Sequence, residues 1–368
     1  MAILTTSTSR STTRHFLSRL GIVVLALFSS VAKAQNLAPS LVMNIERYIN
    51  NRTAGQEFSG TVLVSQHGKV VLNKSFGMAD YENSAPNTPQ TKFRIGSLTK
   101  PFTAITILAL EERGKLSVLD SITKYIEACP KEWRGVRIRD LLTHTSGVPD
   151  LFGAMEAVPV EQTADEIDRV LTDAKNTKLV SAPGEVYRYN NFGYCLLGYI
   201  LEKASGKLYA EVLHDYILGP LKMEQTLYDD PRPIIKNRAS GYVRKDGLLV
   251  NDKPTDPAGY SAGGLLSSTS DLLVLNQALR TNTVLSQNSR DRMFSPFKNE
   301  YGFGWKITTT HNRPAYNHTG ATNGFSSHMV AYPNDDVIII VLSNVENETI
   351  RGIAEEIAGI GFGGGTTK

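Results

Sequence analysis

Strand patterns sit at the two ends of this chain and helix patterns fill the interval, and that arrangement constrains the fold more than any single motif. Phe58 to Phe76 alternates as a hairpin, GTVLVSQ and KVVLNKSF around a His67-Gly68 turn. Strand patterns return at Gly302–Thr309, Ala315–His318, Phe325–Tyr332 and Val337–Ser343, with Asn334-Asp335 as a hairpin turn. Helical periodicity marks Asn36–Ile49, Ser97–Arg113 (closed by Gly114), Ala164–Ala174, Phe192–Ala204, Ala210–Ile217, Thr269–Leu279 and Ile350–Ile360. The expectation is an α/β (α+β) protein with one antiparallel sheet built from both chain ends and flanked by helices. Residues 36–115 and 296–368 form the sheet part, and residues 116–295 form an inserted, mainly helical part. Active sites favour such seams.

Residues 1–34 read as a secretory signal peptide. Arg10, Arg14 and Arg19 precede the apolar run LGIVVLALF (20–28), and Ala32-Lys33-Ala34 supplies the small residues of a cleavage site. The uncharged stretch is shorter than the ~20 residues of a spanning helix. The expectation is therefore an exported, periplasmic or secreted protein with no stable membrane span once the segment is removed. Removal leaves 35 basic against 36 acidic residues, a net charge of −1 in place of +3. The basic balance belongs to the targeting segment, and nucleic acid is not an expected partner. Cys195 lies in the apolar run YCLLGYI and reads as core rather than as half of a disulfide with Cys129. The histidines show no ligand spacing, so neither metal nor other cofactor is expected.

Three short motifs carry chemistry. In Gly96-Ser97-Leu98-Thr99-Lys100-Pro101, a serine opens a helix and a lysine follows on the same face. A hydroxyl becomes a useful nucleophile only when a base takes its proton, and a desolvated lysine can supply a neutral amine. Tyr189-Asn190-Asn191 precedes an apolar helix, and Tyr189 is positioned to relay a proton to a leaving group. Its pKa is expected to be lowered by the nearby ammonium. Asn191 can bond both the lysine and a substrate amide. His318-Thr319-Gly320-Ala321 reads as an edge strand, where the Ala321 N–H can join the Ser97 N–H in an oxyanion hole.

Two other candidates fit less well. Gly259-Tyr260-Ser261-Ala262-Gly263 has the spacing of a nucleophile elbow, but a polar, proline-containing loop precedes it in place of a buried strand. His144 in Thr143-His144-Thr145-Ser146-Gly147 follows an apolar helix end and reads as part of a buried turn. Trp305 in Tyr-Gly-Phe-Gly-Trp reads as core.

With Ser-x-x-Lys, Tyr-x-Asn and His-Thr-Gly in that order, the chain resembles the serine β-lactamase-related and penicillin-binding superfamily. The resemblance extends through FRIGSLTKPFTA, IRDLLTHTSGVP, PGEVYRYNN, LGPLKMEQT, SAGGLLSSTSDL, YGFGW and NHTGATNGFSS. It is nearest the class C β-lactamase, D-alanyl-D-alanine carboxypeptidase and family VIII esterase branch, because the second motif carries tyrosine. The resemblance implies a β-lactamase/transpeptidase-like fold. It also implies Ser97 as nucleophile, Lys100 as its activating partner and Tyr189 as general base and later acid. Asn191, His318, Thr319, Gly320 and Ala321 would bind substrate. Whether Lys100 or Tyr189 takes the serine proton stays open. His318 stands where many relatives carry lysine, and Ala321 offers no hydroxyl for a terminal carboxylate. The implied partners are small-molecule or peptide substrates: first a D-alanyl or cell-wall peptide, then a carboxylic ester, then a weakly hydrolysed β-lactam. A penicillin-binding sensor without turnover is the alternative outside enzymology.

Overall fold

A computed structural model describes residues 39–155, 158, 160–252 and 259–363. Residues 1–34, where a signal peptide is expected, the start of the first expected helix at Asn36 and the GGTTK end lie outside the described residues. Helix α1 (Pro39–Ala54) leads into strands β1 (Gly60–Gln66) and β2 (Lys69–Phe76). Their turn is His67-Gly68, with φ of 50° and 72°, the mirror-image geometry that suits a twisted hairpin. Helices α2 (Thr99–Glu112), α3 (Ile138–Leu142), α4 (Thr163–Asp173), α5 (Asn191–Ser205), α6 (Tyr209–Leu213), α7 (Thr269–Ala278) and α8 (Gln287–Met293) follow. The chain then returns through strands β3 (Lys306–Thr310), β4 (Arg313–Thr322), β5 (Phe325–Tyr332) and β6 (Val337–Ser343) to helix α9 (Ile350–Gly361).

The six strands form one antiparallel sheet in the order β3-β4-β5-β6-β1-β2. Strand β6 joins the two ends of the sequence, pairing Val337 with Gln66 and Ser343 with Gly60 along one side and β5 along the other. Every residue of β5 and β6 is buried. Side chains alternate across a sheet, so both faces are covered. Helices α1 and α9 pack together on the sheet, and α7 packs against β1 and β6. Burying one large aliphatic side chain contributes about 1.5–3 kcal/mol, so the run VIIIVL of β6 anchors the sheet strongly.

The structure corrects several sequence expectations. Helix α2 begins at Thr99, and Ser97 sits in a separate 3-10 turn, Gly96–Leu98. The strand expected from Gly302 begins at Lys306. Gly304 has φ of 78° and lies against the Lys100 carbonyl, so 302–305 bends over α2 instead of extending. Helix α6 ends at Leu213, and His214–Leu218 continues as a π-helical turn.

The strand expected at 315–318 runs from Arg313 to Thr322 and is not an edge over its whole length. Residues 313–317 are flanked by β3 and β5, but the pairing with β3 stops at Asn317. From His318 onward β4 overhangs its neighbour, and only that half is an edge. Short strands at Phe93–Arg94, Leu227–Tyr228 and Leu265–Ser267 add a second, three-stranded sheet. Among the described residues, no helix is long and apolar enough to cross a membrane.

Candidate active site

The site forms where the 3-10 turn, α2, α5 and the overhang of β4 meet. Helix α2 is buried from Thr99 to Leu110, and this draws Lys100 into the interior although Ser97 keeps partial exposure. The Lys100 Nζ donates to Ser97 Oγ at 2.9 Å, to Asn191 Oδ1 at 2.8 Å and to the Ala262 carbonyl at 2.9 Å. Loss of water around the ammonium lowers its pKa to about 7, opposed by Cys195 and Asp150. Neutral amine is therefore available near neutral pH.

Tyr189 lies beside this cluster, its ring centroid 4.8 Å from Lys100 Nζ. As a whole the residue is 41% exposed. Its hydroxyl end, where ionisation occurs, is crowded by protein. Desolvation there raises the pKa, opposed by a hydrogen bond with Ser97. The expected lowering is thus reversed: burial of the phenol outweighs the opposing hydrogen bond with Ser97.

The overhang of β4 closes the other side. A Cβ added at Gly320 would lie 2.0 Å from the Ile95 carbonyl, and one at Gly96 would lie 2.9 Å from the Ala321 nitrogen. Only glycine at both places lets the Ser97 backbone lie against that of Ala321. Ser327 Oγ ties the seam, donating to the Ile95 carbonyl at 2.8 Å. His318 is buried and both its nitrogens are engaged: Nδ1 donates to the Thr319 carbonyl at 2.8 Å, and Nε2 accepts from the Tyr301 hydroxyl at 2.9 Å. Burial, reinforced by the positive field of Lys100, lowers its pKa to about 3, so the ring is neutral. Thr319 Oγ1 is likewise committed, 2.8 Å from His328 Nδ1.

The structure thus brings Ser97, Lys100, Tyr189, Asn191, His318, Thr319, Gly320 and Ala321 to one place. Ser261 stays apart in function though near in space. It is fully buried, and its Oγ donates to the Tyr194 carbonyl at 2.8 Å under Gly198. The contribution of its segment is the Ala262 carbonyl that holds Lys100. Trp305 is fully buried against Phe294 and Tyr316, and Cys129 and Cys195 are free thiols, Cys195 in the core.

Two residues at the site escape sequence reasoning. Asp150 accepts from the Asn191 and Phe192 amides at 3.2 and 3.0 Å, holding the start of α5. Tyr301 orients His318. Each acts through a contact with a distant segment. The local signal is the polar string THTSGVPD after an apolar helix, and the tyrosine of YGFGW.

The family profile described as Beta-lactamase matches residues 45–358. The chain belongs to the beta-lactamase family. Penicillin-binding protein 4* of Bacillus subtilis (strain 168) is 32% identical over 317 residues, which are 80% of this chain and 69% of that protein. Protein flp of Staphylococcus aureus (strain MW2) is 28% identical, and the match covers 81% of this chain but 61% of flp, less than two thirds of its length. Among solved structures, the octameric penicillin-binding protein homologue from Pyrococcus abyssi superposes with a TM-score of 0.78 at 29% identity, covering 88% of this chain and 77% of that one. A penicillin binding protein from Bacillus halodurans gives 0.76 at 26%, covering 85% and 99%. The fold is that of the beta-lactamase/transpeptidase class, and the protein is a serine beta-lactamase-family hydrolase related to penicillin-binding proteins.

Proposed function

We propose that this beta-lactamase-family protein is an exported serine hydrolase that works through an acyl-enzyme on Ser97, with D-amino-acid peptides of the cell-wall type as substrates. The observation that carries the reading is the convergence of Lys100 Nζ on Ser97 Oγ at 2.9 Å, with Tyr189 hydrogen-bonded to the same serine.

Neutral Lys100 takes the Ser97 proton as Oγ bonds to the substrate carbonyl carbon. The Ser97 and Ala321 amides receive the oxyanion. Tyr189, kept protonated by its raised pKa, donates its proton to the leaving group as that bond breaks, and Lys100 returns a proton to Tyr189. Water then attacks the acyl carbon, loses its proton along the same path and frees Ser97. The targeting pattern of residues 1–34 supports export, and the penicillin-binding relatives support the peptide substrate.

A second reading, hydrolysis of a carboxylic ester or an uncharged amide, is favoured by His318. A free substrate carboxylate would find no cation at 318–321, because that ring is neutral and both its nitrogens are occupied.

One panel tests both readings: a D-Ala-D-Ala peptide, the same peptide as its terminal amide, a short-chain ester and a cephalosporin, ranked by kcat/KM. Turnover of the two peptides above the ester supports the first reading, and turnover of ester and amide well above the free acid supports the second. An acyl adduct found by mass on the wild type and on Ser97→Ala alike overturns Ser97 as nucleophile.

A further inference from the structure

Residues 143–150 form a backbone cradle under the second motif. The Val180 amide donates to the Gly147 carbonyl and the Gly184 amide to the Thr145 carbonyl, both at 2.7 Å. Asn190 Nδ2 donates to the Val148 carbonyl at 2.6 Å. A side chain at Gly147, where φ is 72°, would collide with the Ser181 carbonyl at 2.0 Å, so the two strips touch backbone to backbone.

Within this cradle, His144 makes the contacts nearest Tyr189. Its carbonyl accepts from the Arg188 amide at 2.8 Å, and its Nδ1 accepts from the Asn190 amide at 3.1 Å. Both neighbours of Tyr189 are therefore tied to one residue. The imidazole centroid lies 4.3 Å from that of Tyr189 and 4.7 Å from that of Tyr301, which holds His318. His144 is 2% exposed and has φ of 55°, the left-handed region an ordinary side chain avoids. Its Nε2 reaches no hydrogen-bond partner among the described residues. A histidine that served only to fill space would need neither this backbone conformation nor a ring nitrogen directed at one amide.

We propose that His144 is a positioning residue for Tyr189: its carbonyl and Nδ1 clamp the main chain on either side of the tyrosine, and its ring supports the phenol against Ser97. The inference rests on the acyl-enzyme reading above and adds a part to it. Because Nδ1 accepts, the clamp requires an acceptor at that atom and tolerates no donor there.

Three variants separate positioning from packing. His144→Asn keeps an acceptor at the Nδ1 position and tolerates a left-handed backbone. His144→Phe keeps the ring and loses the acceptor. His144→Ala loses both. Hydrolysis of phenyl butyrate is measured with Tm, and acylation of Ser97 is followed by intact mass.

The expected result is a kcat for His144→Phe about 100-fold below wild type, the loss that follows when a reacting group is displaced by about 1 Å. KM stays within about twofold, and His144→Asn recovers most of the rate. A His144→Phe rate equal to wild type overturns the proposal. If that variant does not fold, His144→Asn decides alone: a rate near wild type supports the clamp, and one as low as His144→Ala overturns it. Wild type that forms no adduct at Ser97 removes the acyl-enzyme reading itself. Wild type that acylates, with His144→Phe acylating equally fast, removes this inference only.

Discussion

Lys100 carries its ammonium into the protein interior, where three acceptors hold it and burial drives its pKa down to about 7. A base must be deprotonated to act. With a pKa near 7, the neutral fraction rises about tenfold between pH 6 and pH 8. Acylation of Ser97 by an ester should therefore climb across that window and level above it, as seen in stopped-flow rates at half-unit steps. Lys100→Arg should be inactive throughout, because a guanidinium does not release its proton at these pH values. At this scale the sequence brought out the serine–lysine pair, since residues three apart lie on one side of a helical turn whether it is 3-10 or α. It misjudged the direction of the Tyr189 shift, because burial comes first, with the electrostatic influence of Tyr187 and Asp150 added to it, and local spacing reveals neither. Asp150 was opaque for the same reason, and His144 was legible only as part of a buried turn: their partners lie 41 and 46 residues away.

Elements meet at the site through two glycines. Gly320→Ala would push a methyl to 2.0 Å from the Ile95 carbonyl and force the Ser97 turn away from β4. We expect a loss of about 1–3 kcal/mol in stability and at least about 100-fold in acylation rate, measured by urea melts and stopped-flow kinetics. Gly352→Ala, on helix α9 with nothing within 4 Å, should leave activity unchanged and gain up to about 1 kcal/mol. Long periodic elements were legible. The hairpin β1–β2 and strands β5 and β6 fall where alternation places them, and α5 is capped by Asn190, whose side chain accepts from the Gly193 amide at 2.7 Å. The short strands of the small sheet and the overhang of β4 were not, because pairing rather than periodicity defines them.

Across the whole molecule, the sheet depends on segments far apart in sequence: Ser343 Oγ donates to the Ser59 carbonyl 284 positions away. A fragment ending at residue 295 lacks β6, the strand that both β1 and α7 pack against, and should show no cooperative thermal transition by circular dichroism. Adding residues 296–363 as a second chain should restore one. The general plan was legible because strand patterns cluster at both ends of the sequence. The order of strands was not, since nothing in a strand's own residues says which neighbour it will take. The placement of β6 between β5 and β1 has a kinetic consequence. Pairing β1 with β6 joins segments far apart in the sequence, and a non-local contact of that kind forms slowly. Among the described residues, β3 to β6 join β1 and β2 in the sheet through that pairing alone, so the overhang of β4 takes its place beside the Ser97 turn along with it.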